Sequence, residues 1–188
     1  MSRKGFTLVE LLAVIVVLAL VLTIAIPTSI EAYKKAKLKT EDVFVKRLSE
    51  VIDDYTSLAS QDMLDTKLTS SIYEPEKTFK KNVNIGEQNK NYKVYKLKKT
   101  GDEPITVGDL ISNGLLFEAK YVNPNNKNEK CSPNAIIEIY KDSDAVYCHK
   151  IKASSLGCLT TDYINSLRDP YAIDTCIWKE AVNEEAGE

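Results

Sequence analysis

Cys131, Cys148, Cys158 and Cys176 are the cysteines of this chain, and His149 is its single histidine. Two chemistries suit such a set. Oxidation in pairs gives two disulfides, with three connectivities that spacing alone does not separate. Zinc binding would use thiolates together with the imidazole beside Cys148. No C-x-x-C spacing occurs, and adjacent Cys148 and His149 reach one metal only with strain, so disulfides are expected and no metal. The expected pairs are Cys131–Cys148 and Cys158–Cys176, closing loops of comparable length and contributing about 3 kcal/mol each. Asp142 and Asp144 offer calcium ligands, but a turn between two strands explains them more cheaply. No catalytic set emerges. One histidine supports no Ser-His-Asp arrangement, no phosphate or dinucleotide glycine loop is present, and no carboxylate pair is marked as acid and base. Neither an enzyme nor a cofactor is expected.

Glu10 is the other chemically odd residue, because it lies in an apolar run. Residues Phe6 to Ile30 read FTLVELLAVIVVLALVLTIAIPTSI, and between Leu11 and Ile26 only Thr23 is polar. As a helix this run covers roughly 37 Å at about 1.5 Å per residue, enough to cross a hydrocarbon layer of about 30 Å. Its many Val and Ile residues are acceptable in lipid, where a helix satisfies its own backbone. An ionised carboxylate there costs about 2.5–3.5 kcal/mol, less where it snorkels to the headgroups. A secretory signal peptide with Arg3 and Lys4 as its charged region fits poorly: the run is long, no A-x-A closes it, and Pro27 stands where a small-residue cut belongs. Ahead of the run, Gly5 leaves the backbone accessible, as a protease needs.

Lys4-Gly5-Phe6-Thr7-Leu8-Val9-Glu10-Leu11-Leu12 resembles the prepilin motif of type IV pilins and type II secretion pseudopilins. The resemblance covers residues 3 to 30. It implies cleavage between Gly5 and Phe6 by a prepilin peptidase, N-methylation of Phe6, and a role in assembly for Glu10, the fifth residue of the processed chain. After such a cut a positive amine at Phe6 lies one helical turn from Glu10. Pairing two charges in lipid offsets part of the cost of each, and pairing across subunits rewards one axial register. Pro27 removes a backbone donor and kinks a helix; it suits either a bend used in fibre packing or the membrane exit. The partners implied are other pilin subunits, the peptidase, an assembly platform and the membrane.

These residues need a scaffold, and the rest of the chain outlines one. Mean hydropathy is −0.24 despite the apolar start, so the remainder is hydrophilic. With 25 Lys and Arg against 27 Asp and Glu the net charge is −2, which gives no basic footprint for nucleic acid. The lysine-rich stretch Lys77–Lys99 is read as a solvated face rather than a nucleic-acid site. In residues 31–60, Phe44, Leu48, Val51, Ile52, Tyr55, Leu58 and Ala59 recur every three or four positions, which predicts one long helix from about Phe6 to about Ala59, bent near Pro27. Lys34, Lys35, Lys37 and Lys39 would place that flank in the cytoplasm, whereas Arg3, Lys4 and the resemblance place the C-terminal part outside. The resemblance and the cysteines decide for export.

Beyond the helix, the pattern predicts a strand at Tyr92–Leu97 and a helix over Thr106–Gly114 with Thr106 as N-cap. An extended Asn123-Pro124 stretch is expected next, then a hairpin of Ala135–Lys141 and Ala145–Ile151, and a last helix near Thr161–Leu167. The fold class expected is α+β and pilin-like, a long N-terminal helix packed on a domain with a small antiparallel sheet. Its divisions are a leader at 1–5, a transmembrane and assembly helix at 6–30, a globular domain at 31–178 including the amphipathic half 31–60, and an acidic tail at 179–188. The function implied is a major or minor pilin, processed as a single-pass precursor in the cytoplasmic membrane and then displayed at the cell surface. The alternatives are a pseudopilin of a secretion or competence system, or an anchored extracellular binding domain that never polymerises.

Overall fold

Helix-forming pattern runs without a break from the first apolar residues to the end of the amphipathic stripe, and the chain folds accordingly. In the computed structural model, which describes residues 7–64, 67–74, 77–81 and 91–180, α1 is a single helix of 53 residues, Leu8–Ser60. The chain forms two compact units, Met1–Thr40 and Glu41–Glu188.

In the first unit every described side chain from Thr7 to Ala36 is exposed, because no described residue of that unit packs against the apolar surface. Pro27 lies inside the helix and supplies no N–H to the carbonyl of Thr23, one turn before it. Hydroxyls on either side bond backward within the helix: Thr23 to the Leu20 carbonyl at 2.7 Å, and Thr28 and Ser29 both to the Ala25 carbonyl at 2.9 Å. Such bonds leave no hydroxyl hydrogen unsatisfied in an apolar run.

The second unit opens with the amphipathic half of α1. Glu41, Val45, Leu48, Ile52, Tyr55 and Thr56 are buried, a stripe at three- and four-residue spacing. Val45 takes a central place, while Phe44 and Val51 sit half-buried at its edges. The strands are β1 Leu68–Ile72, β2 Phe79–Lys81, β3 Val94–Lys99, β4 Ile105–Thr106, β5 Val122–Asn123, β6 Asn126–Lys130, β7 Ile136–Asp142, β8 Tyr147–Lys152, β9 Tyr171–Asp174 and β10 Trp178–Glu180. Between them lie the short helices α2 Val107–Ser112, α3 Ala153–Leu156 and α4 Thr161–Ser166. This is an α+β arrangement.

Among the described residues the main sheet runs β1-β3-β7-β8-β9 with β4 also on β7, its pairs antiparallel. The expected hairpin is β7–β8. Its turn is held by Asp142, whose carboxylate accepts from the Asp144 and Val146 amides at 2.9 Å each. That accounts for the Asp142 carboxylate by turn geometry. Helix α2 starts where expected: the Asp109 carboxylate accepts from the Thr106 amide at 2.7 Å, and Gly114 beyond its end has φ +74°. The extended Asn123-Pro124 stretch is instead the tight β5–β6 hairpin, because the Asn123 side-chain oxygen accepts from the amides of Asn125 (2.8 Å) and Asn126 (3.2 Å) and turns the chain back.

Register sorts the sheet into two faces. Leu97 opposes Ile139, which opposes His149, and Ile151 opposes Ile173; these residues point to the α1 side, where Ser49 meets His149. Lys96 opposes Tyr140, which opposes Cys148, on the other face. That outer face carries a small second core of Val94, Tyr140 and Cys148, closed by Tyr73, Phe79, Cys176 and Trp178. Phe79 and Trp178 come from the separate β2–β10 pair, so the sheet is packed on both sides.

The disulfide pairing differs from the sequence expectation. Cys131 bonds to Cys158 and Cys148 to Cys176. The β8–β9 register, with Lys150 opposite Asp174, carries Cys148 to the position across from Cys176. The Ser132 amide bonds the Leu156 carbonyl at 2.9 Å and so brings Cys131 beside Cys158. The loops therefore interleave rather than follow one another.

Candidate functional site

The N-terminal helix carries Glu10 and Pro27, the expected assembly residues. Its first turn is fixed by Thr7 and Glu10. The Glu10 carboxylate accepts from the Thr7 amide at 2.9 Å and from the Thr7 hydroxyl at 3.1 Å, while the Glu10 amide donates to that hydroxyl at 3.3 Å. This is a reciprocal capping box, which satisfies helix N–H groups that have no partner within the helix. The sequence signal for this box is the Thr-x-x-Glu spacing at Thr7 and Glu10, masked by the more conspicuous charge of Glu10 in an apolar run. Leu8, Val9, Leu11 and Leu12 around it are all exposed.

Downstream the described side chains as far as residue 22 are apolar and exposed. An 18-residue window of α1 reaches a mean hydropathy of 3.0 with none of it buried. By length and composition the helix can cross a membrane. Gly5 and Phe6, the expected cleavage and methylation residues, lie outside the described residues, as do residues 181–188 of the expected acidic tail. Residues 1–26 match the family model described as the prokaryotic N-terminal methylation motif.

The chain carries a prepilin-type methylation motif. That motif is the hallmark of type IV prepilins and pseudopilin precursors, and it covers the same residues from which the resemblance arose. No curated protein and no solved structure matches the chain.

Glu10, inside the matched motif, and Pro27, just after it, both lie in the first unit, whereas the four cysteines are in the second. With all four cysteines in disulfides, their sulfurs offer no thiolate to a metal. Two buried polar side chains support this second unit in ways the sequence did not indicate. Glu41 is fully buried; its two carboxylate oxygens accept from the Thr160 amide at 2.7 Å and the Thr160 hydroxyl at 2.9 Å, fixing the start of α4. A carboxylate at that place also complements the helix N-terminus. It was hidden in the sequence because its partner is 119 residues away.

His149 is the second. Its Nε2 lies 2.8 Å from the Ser49 hydroxyl, and its Nδ1 is 3.3 Å from an Asp53 carboxylate oxygen and 3.5 Å from the Thr175 hydroxyl. A neutral ring with its hydrogen on Nδ1 satisfies this set: it donates to Asp53 and accepts from Ser49. Burial lowers the His149 pKa below its ordinary 6.5, against the opposing charges of Asp53 and Asp174. The unfolded chain therefore takes up the proton first as pH falls. Stability is full above about pH 6.5 and declines below it, by at most roughly 1.4 kcal/mol per pH unit. Thermal unfolding followed by circular dichroism is expected to show this decline between pH 7 and 5 and a shallower one in His149→Gln. An equal slope in that variant would assign the decline elsewhere.

Proposed function

We propose that this protein is a structural subunit of a type IV pilus or related filament, made as a membrane-inserted precursor, cut after Gly5, methylated on Phe6 and assembled helix against helix. The observation that carries the reading is the coincidence of the methylation motif at residues 1–26 with a helix whose apolar N-terminal stretch is unburied among the described residues. An anchor alone needs apolar length; it does not need a capped acid at the tip. In this reading Glu10 pairs with the amine of a neighbouring subunit, and Pro27 accommodates the packing of helices in the fibre. The second unit faces away from the cytoplasm, where disulfides form and persist. Partners are further copies or related pilins, the prepilin peptidase and the assembly platform.

The N-terminus is the test. Mass spectrometry of the chain from cells with the peptidase is expected to give a methylated Phe6, and from cells lacking it a chain longer by the leader. A leader retained in both strains would leave only a tethered domain that never polymerises.

A further inference from the structure

The outer face of the sheet, opposite the one that α1 covers, holds a cleft. It has a volume of about 160 Å³ and lies between that face and the β2–β10 pair, with Tyr73, Phe79, Tyr140, Tyr171, Trp178 and Lys150 on its walls. We propose that this cleft binds one ring of a neutral saccharide. The inference concerns the second unit alone and stands whether or not the chain polymerises.

The walls argue for the ligand. Tyr73 stacks on Phe79 with ring centroids 6.0 Å apart and meets Tyr140 edge-on at 5.0 Å, so the rings form a braced apolar surface rather than independent side chains. Such a surface suits the C–H face of a sugar ring, while the phenols and rim charges suit its hydroxyls. Charges at and beside the cleft are already matched: on its wall Lys150 Nζ lies 2.9 Å from Asp174, and next to Tyr140 the Lys96 Nζ lies 2.8 Å from Glu138, which also accepts from the Tyr140 hydroxyl at 3.3 Å. An ionic ligand would have to displace one of these pairs, whereas a polyhydroxylated neutral one can bond to both members. The Trp178 indole N–H, enclosed at the wall, has no acceptor among the described residues. Buried donors are rarely left so, and a ligand hydroxyl oxygen at that wall supplies the missing acceptor. The size favours a single ring, since sites enclosing larger organic ligands run to roughly 300–1,000 Å³.

Trp178 is the only tryptophan in the chain, so its fluorescence reports on this cleft alone. Full-length protein in a detergent without a sugar headgroup is titrated with the methyl glycosides of glucose, galactose, mannose and N-acetylglucosamine. A saturable change in emission is expected for at least one, at roughly 1–10 mM as befits one ring in a shallow site. It is expected to weaken at least ~10-fold in Tyr171→Ala. Should that variant lower the unfolding midpoint, Lys150→Gln must show the same loss. No saturable response to any of the four glycosides, a response only to methyl glucuronide or inorganic phosphate, or full binding in a well-folded variant would overturn the proposal.

Discussion

Glu10→Gln is expected to leave cleavage after Gly5 and the start of α1 intact while reducing the subunit in sheared filaments to less than about a tenth of the wild-type level. Glutamine keeps the oxygen that accepts from the Thr7 amide, so the capping box survives. It loses the charge. Leaving one member of a desolvated ion pair without its counterion costs about 3–5 kcal/mol, a factor of more than ~100 in an equilibrium. Glu10→Ala removes both cap and charge, whereas Thr7→Ala removes the hydroxyl that bonds Glu10 and leaves its charge. The series separates the two roles: charge pairing predicts assembly in Thr7→Ala and failure in Glu10→Gln, and capping predicts the reverse order. Immunoblots of sheared and cell-bound fractions give the answer. A glutamine variant present in filaments at the wild-type level would remove the ion pair from the account.

Loss of the Cys148–Cys176 bond is expected to be the most damaging covalent change in the second unit. The bond links residues 28 apart, a loop worth about 3.6 kcal/mol by chain-entropy reasoning. It also ties β8 to the segment after β9 and forms part of the small outer core, with Trp178 against it. Cys148→Ala with Cys176→Ala is expected to lower the unfolding midpoint by roughly 10–15 °C, taking a few degrees per kcal/mol for a domain of this size. The Cys131–Cys158 loop spans 27 residues and overlaps the first, so the two losses do not simply add. Connectivity has an independent check. Trypsin places the four cysteines on separate peptides, 131–141, 142–150, 153–168 and 169–179. Under non-reducing conditions the first is expected to be joined to the third and the second to the fourth. A link between 131–141 and 142–150 would contradict the register of β8 and β9.

These effects fall on opposite sides of what a linear reading reaches. Glu10 stood out because a lone acid in apolar sequence is anomalous wherever the chain goes next, and the residues around it carried the resemblance that the methylation-motif match repeats. The long helix, the Thr106 start of α2, the β7–β8 hairpin and α4 were equally legible, since periodicity, caps and turn residues act over a few positions. The short strands β2 and β10 gave no such signal. They hold three residues each and pair with each other from about 100 residues apart, so their stability comes from contacts that no local window contains.

The sequence by itself determined where a membrane-length helix lies, that an acid sits at its tip, and that the cysteine-bearing part is mostly hydrophilic. Tertiary structure alone decided the rest: the pairing of the cysteines, Glu41 as the support of α4, His149 as the polar contact between α1 and β8, and the aromatic cleft on the outer face. The reason is physical. Helices and turns are specified by neighbours along the chain, whereas sheet register brings residues together from segments far apart, and a shift of one position would turn Cys148 and Tyr140 from one face to the other.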